Sequence, residues 1–219
     1  MRRRPRIMLL AVATVLVLAL ALGLLLGRPG TRSRAGTGAT TAAADAPAPA
    51  SAGFDGALLP GGLRAPGFTL TDQRGRRVSL RQYRGRVAIL TFLSPACRPS
   101  CPLVAQQIRG ALDELGAHPV PVLIVGADPA AGTSAAVRRF LAEAALTGRV
   151  EYLSGTLAEL RAVWRAYGVI PAELGDAGSP HPASVLLIDR GGFERDLFEV
   201  EQLTPEGLAH DVRRVEGAG

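Results

Sequence analysis

Lysine is absent from this 219-residue chain, and all 25 of its basic residues are arginine. Cysteine is nearly absent. Two cysteines cannot build a disulfide-rich scaffold, nor a four-cysteine zinc or iron–sulfur site. Three histidines leave little material for a histidine-rich metal centre. The only methionines are Met1 and Met8, so no thioether ligand is available to the rest of the chain. There is no Gly-x-y period, which excludes a collagen-like chain, and no internal repeat. A hydrophobic fraction of 47% excludes a disordered one.

The net charge of +6 suggests nucleic acid until it is located. Residues 1–58 carry seven arginines against two aspartates, whereas residues 59–219 carry eighteen arginines against seventeen acids. The basic excess flanks an apolar run and does not coat the globular part. That pattern points to a membrane and argues against a nucleic-acid partner.

Residues 1–6 form a basic lead. Ile7 to Gly27 come next without one charged residue, and these 21 residues would reach about 31 Å as a helix, roughly the thickness of the hydrocarbon core. The run exceeds the apolar stretch of a cleaved signal peptide and is followed directly by Arg28. It reads as an uncleaved transmembrane signal anchor. The competing reading is a signal cleaved near Ala42–Ala50, and both export the rest of the chain. The arginine balance across the span favours a cytoplasmic N-terminus. The expected location is the cell membrane, single-pass, with the C-terminal domain on the extracytoplasmic side. Residues 28–58, rich in Ala, Gly, Thr and Pro, have too few large apolar groups to offset the entropy of ordering and read as a flexible tether.

Residues 59–219 suffice for one core. FTLTD (68–72) and RRVSL (76–80) read as a hairpin. RVAILTFL (86–93), PVPVLIVGAD (119–128) and ASVLLID (183–189) read as buried strands. VEYLSG (150–155) is a short strand, and FERDLFEV (193–200) a hairpin partner for the strand before it. Helices are expected over 102–115, after Thr133, from Thr156 to Ala166 and over 204–215. Strands alternating with helices predict an α/β fold: a mixed sheet with helices on both faces, preceded by the N-terminal transmembrane helix.

Cys97-Arg98-Pro99-Ser100-Cys101-Pro102 joins a buried strand to a helix. At a spacing of four, the two Cα atoms stand about 6 Å apart, within disulfide range and close enough for both sulfurs to reach one metal. A helix N-terminus stabilises thiolate. Redox chemistry, soft-metal binding and a structural disulfide all remain open on these grounds. His118, before a strand, and His210, on the last helix, read as solvated or packed. Asp128 is a possible neighbour of the site.

The stretch LTFLSPACRPSCP, with its Cys-x-x-x-Cys-Pro, resembles the Sco/SenC family, whereas thioredoxins carry Cys-x-x-Cys. FTLTDQRGRRVSLRQYRGRV (68–87), Leu153-Ser154-Gly155 and Tyr167-Gly168-Val169 are similar to other segments of that family. His181, eight residues before Asp189 in HPASVLLIDRGG, matches its metal-binding histidine. Gly132 stands where the family usually has a second Asp after Asp128-Pro129. The resemblance implies a thioredoxin-like domain that binds a copper ion through Cys97, Cys101 and His181. It further implies a monomeric copper chaperone serving the copper-site subunit of cytochrome c oxidase, by delivering copper or by maintaining the client's thiols. A thiol–disulfide oxidoreductase using Cys97 and Cys101 as its redox pair is the alternative from another class. A non-catalytic binding module is a third. The peroxidatic Pro-x-x-x-Thr-x-x-Cys pattern is missing.

Overall fold

The computed structural model describes residues 53–118, 120–170 and 184–218. The basic lead, the span expected at 7–27, most of the tether and His181 lie outside them. Among the described residues no helix is long and apolar enough to cross a membrane.

Eight strands form one sheet: β1 Ala57–Leu58, β2 Thr69–Asp72, β3 Arg77–Ser79, β4 Ala88–Leu93, β5 Val122–Gly126, β6 Glu151–Ser154, β7 Val185–Ile188 and β8 Glu194–Phe198. Four helices are described: α1 Ser100–Leu115, α2 Ser134–Glu143, α3 Leu157–Ala166 and α4 Pro205–Gly217. The strand order is β1-β8-β7-β4-β5-β6-β2-β3. β4 runs parallel to β5, and β5 to β6, while β7 is antiparallel to both β4 and β8. Every residue of β4, β5 and β7 is buried. Strands covered on both faces need unbroken apolar runs, and AILTFL, VLIVG and VLLI supply them.

The two faces can be separated residue by residue, because successive side chains of a strand point to opposite sides. Leu90, Leu186 and Leu197 are register partners. They share a face with Phe92, whose ring packs 5.5 Å from that of Tyr167 at the end of α3. Ile89, Leu187 and Asp196 line the other face, where Asp196 meets Asp211 of α4. Helices therefore cover both sides of the sheet. α1 packs against α4, and glycine makes the crossing possible: a Cβ on Gly110 would stand 2.7 Å from Pro205.

Local signals fix the element ends. Thr133 and Thr156 each accept a backbone N–H at the first turn of the helix they open, and Glu159 returns a bond to Thr156 as a capping box. In the β2–β3 turn the buried Asp72 accepts the amides of Arg74 and Arg76 and pairs with the Arg76 guanidinium at 2.7 Å. Burial alone would raise this carboxyl, but the two amides and Arg76 hold it below the usual range.

The sheet begins earlier than the expected boundary at residue 59. Ala57–Leu58 pairs with β8, and the amides of Asp55 and Gly56 donate to the Asp211 carboxylate at 2.9 Å. A long-range partner orders this short strap, whose own composition would not.

Asp196 is fully buried. Burial, with Asp211 and Asp55 beside it, pushes its carboxyl from 3.8 up to about 8. Between those pH values the unfolded chain has lost this proton and the folded chain has kept it. Stability should therefore fall as pH rises from about 4 to about 8, by at most about 1.4 kcal/mol per pH unit, and then level off. Asp196→Asn has no such proton to lose. In chelator, it should unfold at a higher denaturant concentration than the parent at pH 8 and match it near pH 4. A variant that tracks the parent at both pH values would refute this account.

Candidate functional site

β4 and β5 run parallel, and their C-terminal ends meet where Leu93 pairs with Gly126. β7 is antiparallel, so its first residue, Val185, opposite Thr91, lies toward the same end. Three pins hold this end. The Tyr152 hydroxyl donates to the Leu93 carbonyl at 3.1 Å. The Trp164 indole N–H donates to the Gly126 carbonyl at 3.1 Å. The Thr91 hydroxyl donates to the Ser184 carbonyl at 2.7 Å. None of the three is visible as a motif in the sequence.

The chain leaves β4 into Ser94-Pro95-Ala96-Cys97. Ser94 shapes the turn, accepting the Ala96 amide on its hydroxyl and the Cys97 amide on its carbonyl. α1 starts at Ser100, two residues before the expected Pro102, so Cys101 sits in its first turn. Cys97 lies in the loop before the helix. The two residues are joined by a disulfide, with Cα atoms 5.7 Å apart, inside the separation expected from their spacing.

The sulfurs are not equivalent. Cys101 is fully buried, whereas Cys97 is half-buried. The Cys101 amide N–H donates to the Cys97 sulfur at 3.2 Å. The first turn of α1 carries no acidic residue. The Arg98 guanidinium bonds to the carbonyls of Pro95 and Cys97. After reduction, the helix N-terminus and this cation would both favour thiolate at Cys97.

Asp128 follows β5 at the same end of the sheet. Its carboxylate accepts the Ala130 amide, and its charge adds to burial in pushing the Tyr152 phenol up. His118 follows the far end of α1 and is exposed. The 16-residue helix spans about 24 Å, which separates His118 from the cysteines. His181 lies outside the described residues, but Ser184, three residues on, is the residue pinned to Thr91.

Residues 61–216 match the SCO1/SenC family. The chain belongs to that family. It is similar to the mitochondrial SCO2 homolog of Bos taurus, 28% identical over 156 residues, which is 67% of this chain and 58% of the bovine one. It also matches Peroxiredoxin Bcp of Escherichia coli K12, 36% identical over 64 residues, or 29% of this chain and 41% of that one. The chain thus spans less than two thirds of both relatives. Among solved structures, Bradyrhizobium japonicum ScoI with copper bound is 30% identical, with a TM-score of 0.57, covering 69% of this chain and 99% of that one. The thioredoxin domain of a Bacteroides vulgatus thiol-disulfide oxidoreductase, 17% identical, has a TM-score of 0.54 over 71% of this chain and 97% of its own. The SCO1/SenC domain here is thus a thioredoxin-like α/β sheet.

Proposed function

We propose that this SCO1/SenC chain is a membrane-tethered, extracytoplasmic copper-binding protein. It delivers copper to the copper site of cytochrome c oxidase, or keeps the thiols of that site reduced. The observation that carries the reading is the disulfide-bonded cysteine pair at the α1 N-terminus, with one sulfur half-buried and accepting the Cys101 amide and the other inside the core. The Bradyrhizobium japonicum relative, solved with copper bound, supports it.

The donor chemistry fits. Two thiolates suit Cu(I) and an imidazole accommodates Cu(II). Reduction of Cys97–Cys101 takes two electrons from an external dithiol, which leaves as a disulfide, and frees both sulfurs. His181 is the third ligand of this reading. Ser184 is fixed to Thr91 at the cysteine end of the sheet, and three residues of chain reach about 10 Å from it. The apolar run at 7–27 anchors the protein, and the tether keeps the domain at high effective concentration near a membrane client.

The inequality of the sulfurs also favours a second reading, a thiol–disulfide oxidoreductase. Cys97 thiolate would attack a client disulfide. Buried Cys101 would then displace the client thiolate, leaving the client reduced and Cys97–Cys101 oxidised.

The test uses the full chain in detergent, reduced and freed of reductant without oxygen, then given Cu(I) or Cu(II). One copper per chain after desalting, with sulfur-to-Cu(II) charge-transfer bands for Cu(II), is the expected result. The Cys97→Ser/Cys101→Ser variant should retain none. A parent chain that retains no copper while both thiols remain titratable would overturn the copper reading and leave the oxidoreductase.

A further inference from the structure

A second cluster of ligand-bearing side chains lies where the strap before β1 crosses α4. His210 Nδ1 is 3.0 Å from an Asp55 carboxylate oxygen and 2.9 Å from an Asp211 oxygen. One ligand atom from each of these residues lies within 4.8 Å of the other two. The Asp55 and Gly56 amides orient the Asp211 carboxylate, as outer-shell donors do for metal-ligating carboxylates.

Asp196 supplies an independent observation. It is fully buried, and neither of its oxygens has a hydrogen-bond partner among the described residues. Its carboxylate presses on Gly56, where a Cβ would stand 2.6 Å from both oxygens, and Gly56 N–H is bonded to Asp211. The unpartnered carboxyl therefore points into the cluster from the sheet side. A buried carboxylate with no donor needs a proton or a cation beside it.

We propose that Asp55, His210 and Asp211, with Asp196 behind them, bind a divalent cation of the zinc class. Imidazole nitrogen with carboxylate oxygens, and no thiolate, suits Zn(II) and not Cu(I). Asp196 lies at the register level of Ile89 on β8, two strands from β4. The end of β4 at Leu93 is about 13 Å further along the strands and about 10 Å across them. The site is thus separate from Cys97 and Cys101. Occupancy ties the strap carrying Asp55, and with it the entry of the chain into the sheet, to α4.

The test uses the full chain carrying Cys97→Ser/Cys101→Ser, so that thiolates contribute nothing, with zinc chloride alone as probe at pH 7.5. Calorimetry should show one zinc per chain, and zinc should raise the thermal midpoint. His210→Ala and Asp55→Asn alter half-exposed side chains, and circular dichroism confirms their folding. Each should weaken binding at least about tenfold and remove the thermal shift, while His181→Ala in the same background should leave both unchanged. The proposal is overturned if the cysteine-free chain takes up no zinc. It is equally overturned if folded His210→Ala and Asp55→Asn bind zinc as the parent does.

Discussion

His181→Ala should lower copper affinity at least about 100-fold while leaving the Cys97–Cys101 disulfide as easily reduced as in the parent. Loss of an outer-shell partner already costs metal sites about 10–100-fold, and loss of a direct ligand costs no less. The disulfide itself is held by the end of β4, the first turn of α1 and the Ser94 turn, none of which needs an imidazole. Competition with a chelator of known affinity measures the first quantity, and equilibration in thiol redox buffers the second. Unchanged copper affinity would remove His181 from the ligand set. A joint loss of copper binding and of disulfide reduction would show that the histidine acts through the fold.

Trp164→Ala should cost about 3–5 kcal/mol of stability, the range for truncating a large aromatic in a core. Its side chain is buried between α3 and the end of β5, and its indole N–H satisfies the Gly126 carbonyl. Truncation opens a cavity and also leaves a buried acceptor without its donor. Trp164→Phe fills most of the space and should cost about 1–3 kcal/mol, chiefly the unsatisfied carbonyl. Denaturant unfolding of both variants separates the two contributions. A loss under about 1 kcal/mol in the alanine variant would overturn the role given to Trp164 at the end of β5.

The central strands and the later helices were legible because their signals are local. AILTFL, VLIVG and VLLI are apolar runs bounded by turn residues, and Thr133 and Thr156 mark helix starts with side chains that reach only three residues ahead. The cysteine pair was legible for the same reason, since a four-residue spacing constrains distance by itself. The features that escaped depend on partners far away in sequence. β1 is two residues in an alanine- and glycine-rich stretch, ordered by its pairing with β8 and by Asp211, 156 residues beyond Asp55, which takes the Asp55 amide. His210 reads from the sequence as a solvated or packed helix residue, because neither Asp55, in the stretch read as tether, nor Asp196, in an alternating strand, stands near it in the chain. The burial of Asp196 comes from pairing with β7 on one side and β1 on the other, which no local pattern reports. The early start of α1 was hidden by Pro99, which caps the helix, and Pro102, which lies inside its first turn; neither excludes Ser100 and Cys101 from it.

Trp164 is the only tryptophan in the chain, and its indole is fixed to the residue that faces Leu93 across β4 and β5. The tryptophan fluorescence of the whole protein, selectively excited on the red side of tyrosine absorption, is therefore emitted from one known place, the end of the sheet from which the cysteine loop departs. Reduction of Cys97–Cys101, entry of a paramagnetic ion nearby, or docking of another protein on that end can each be followed optically on the unlabelled chain. The emission of a buried indole also separates these local events from global unfolding, which shifts the spectrum to that of a solvated ring.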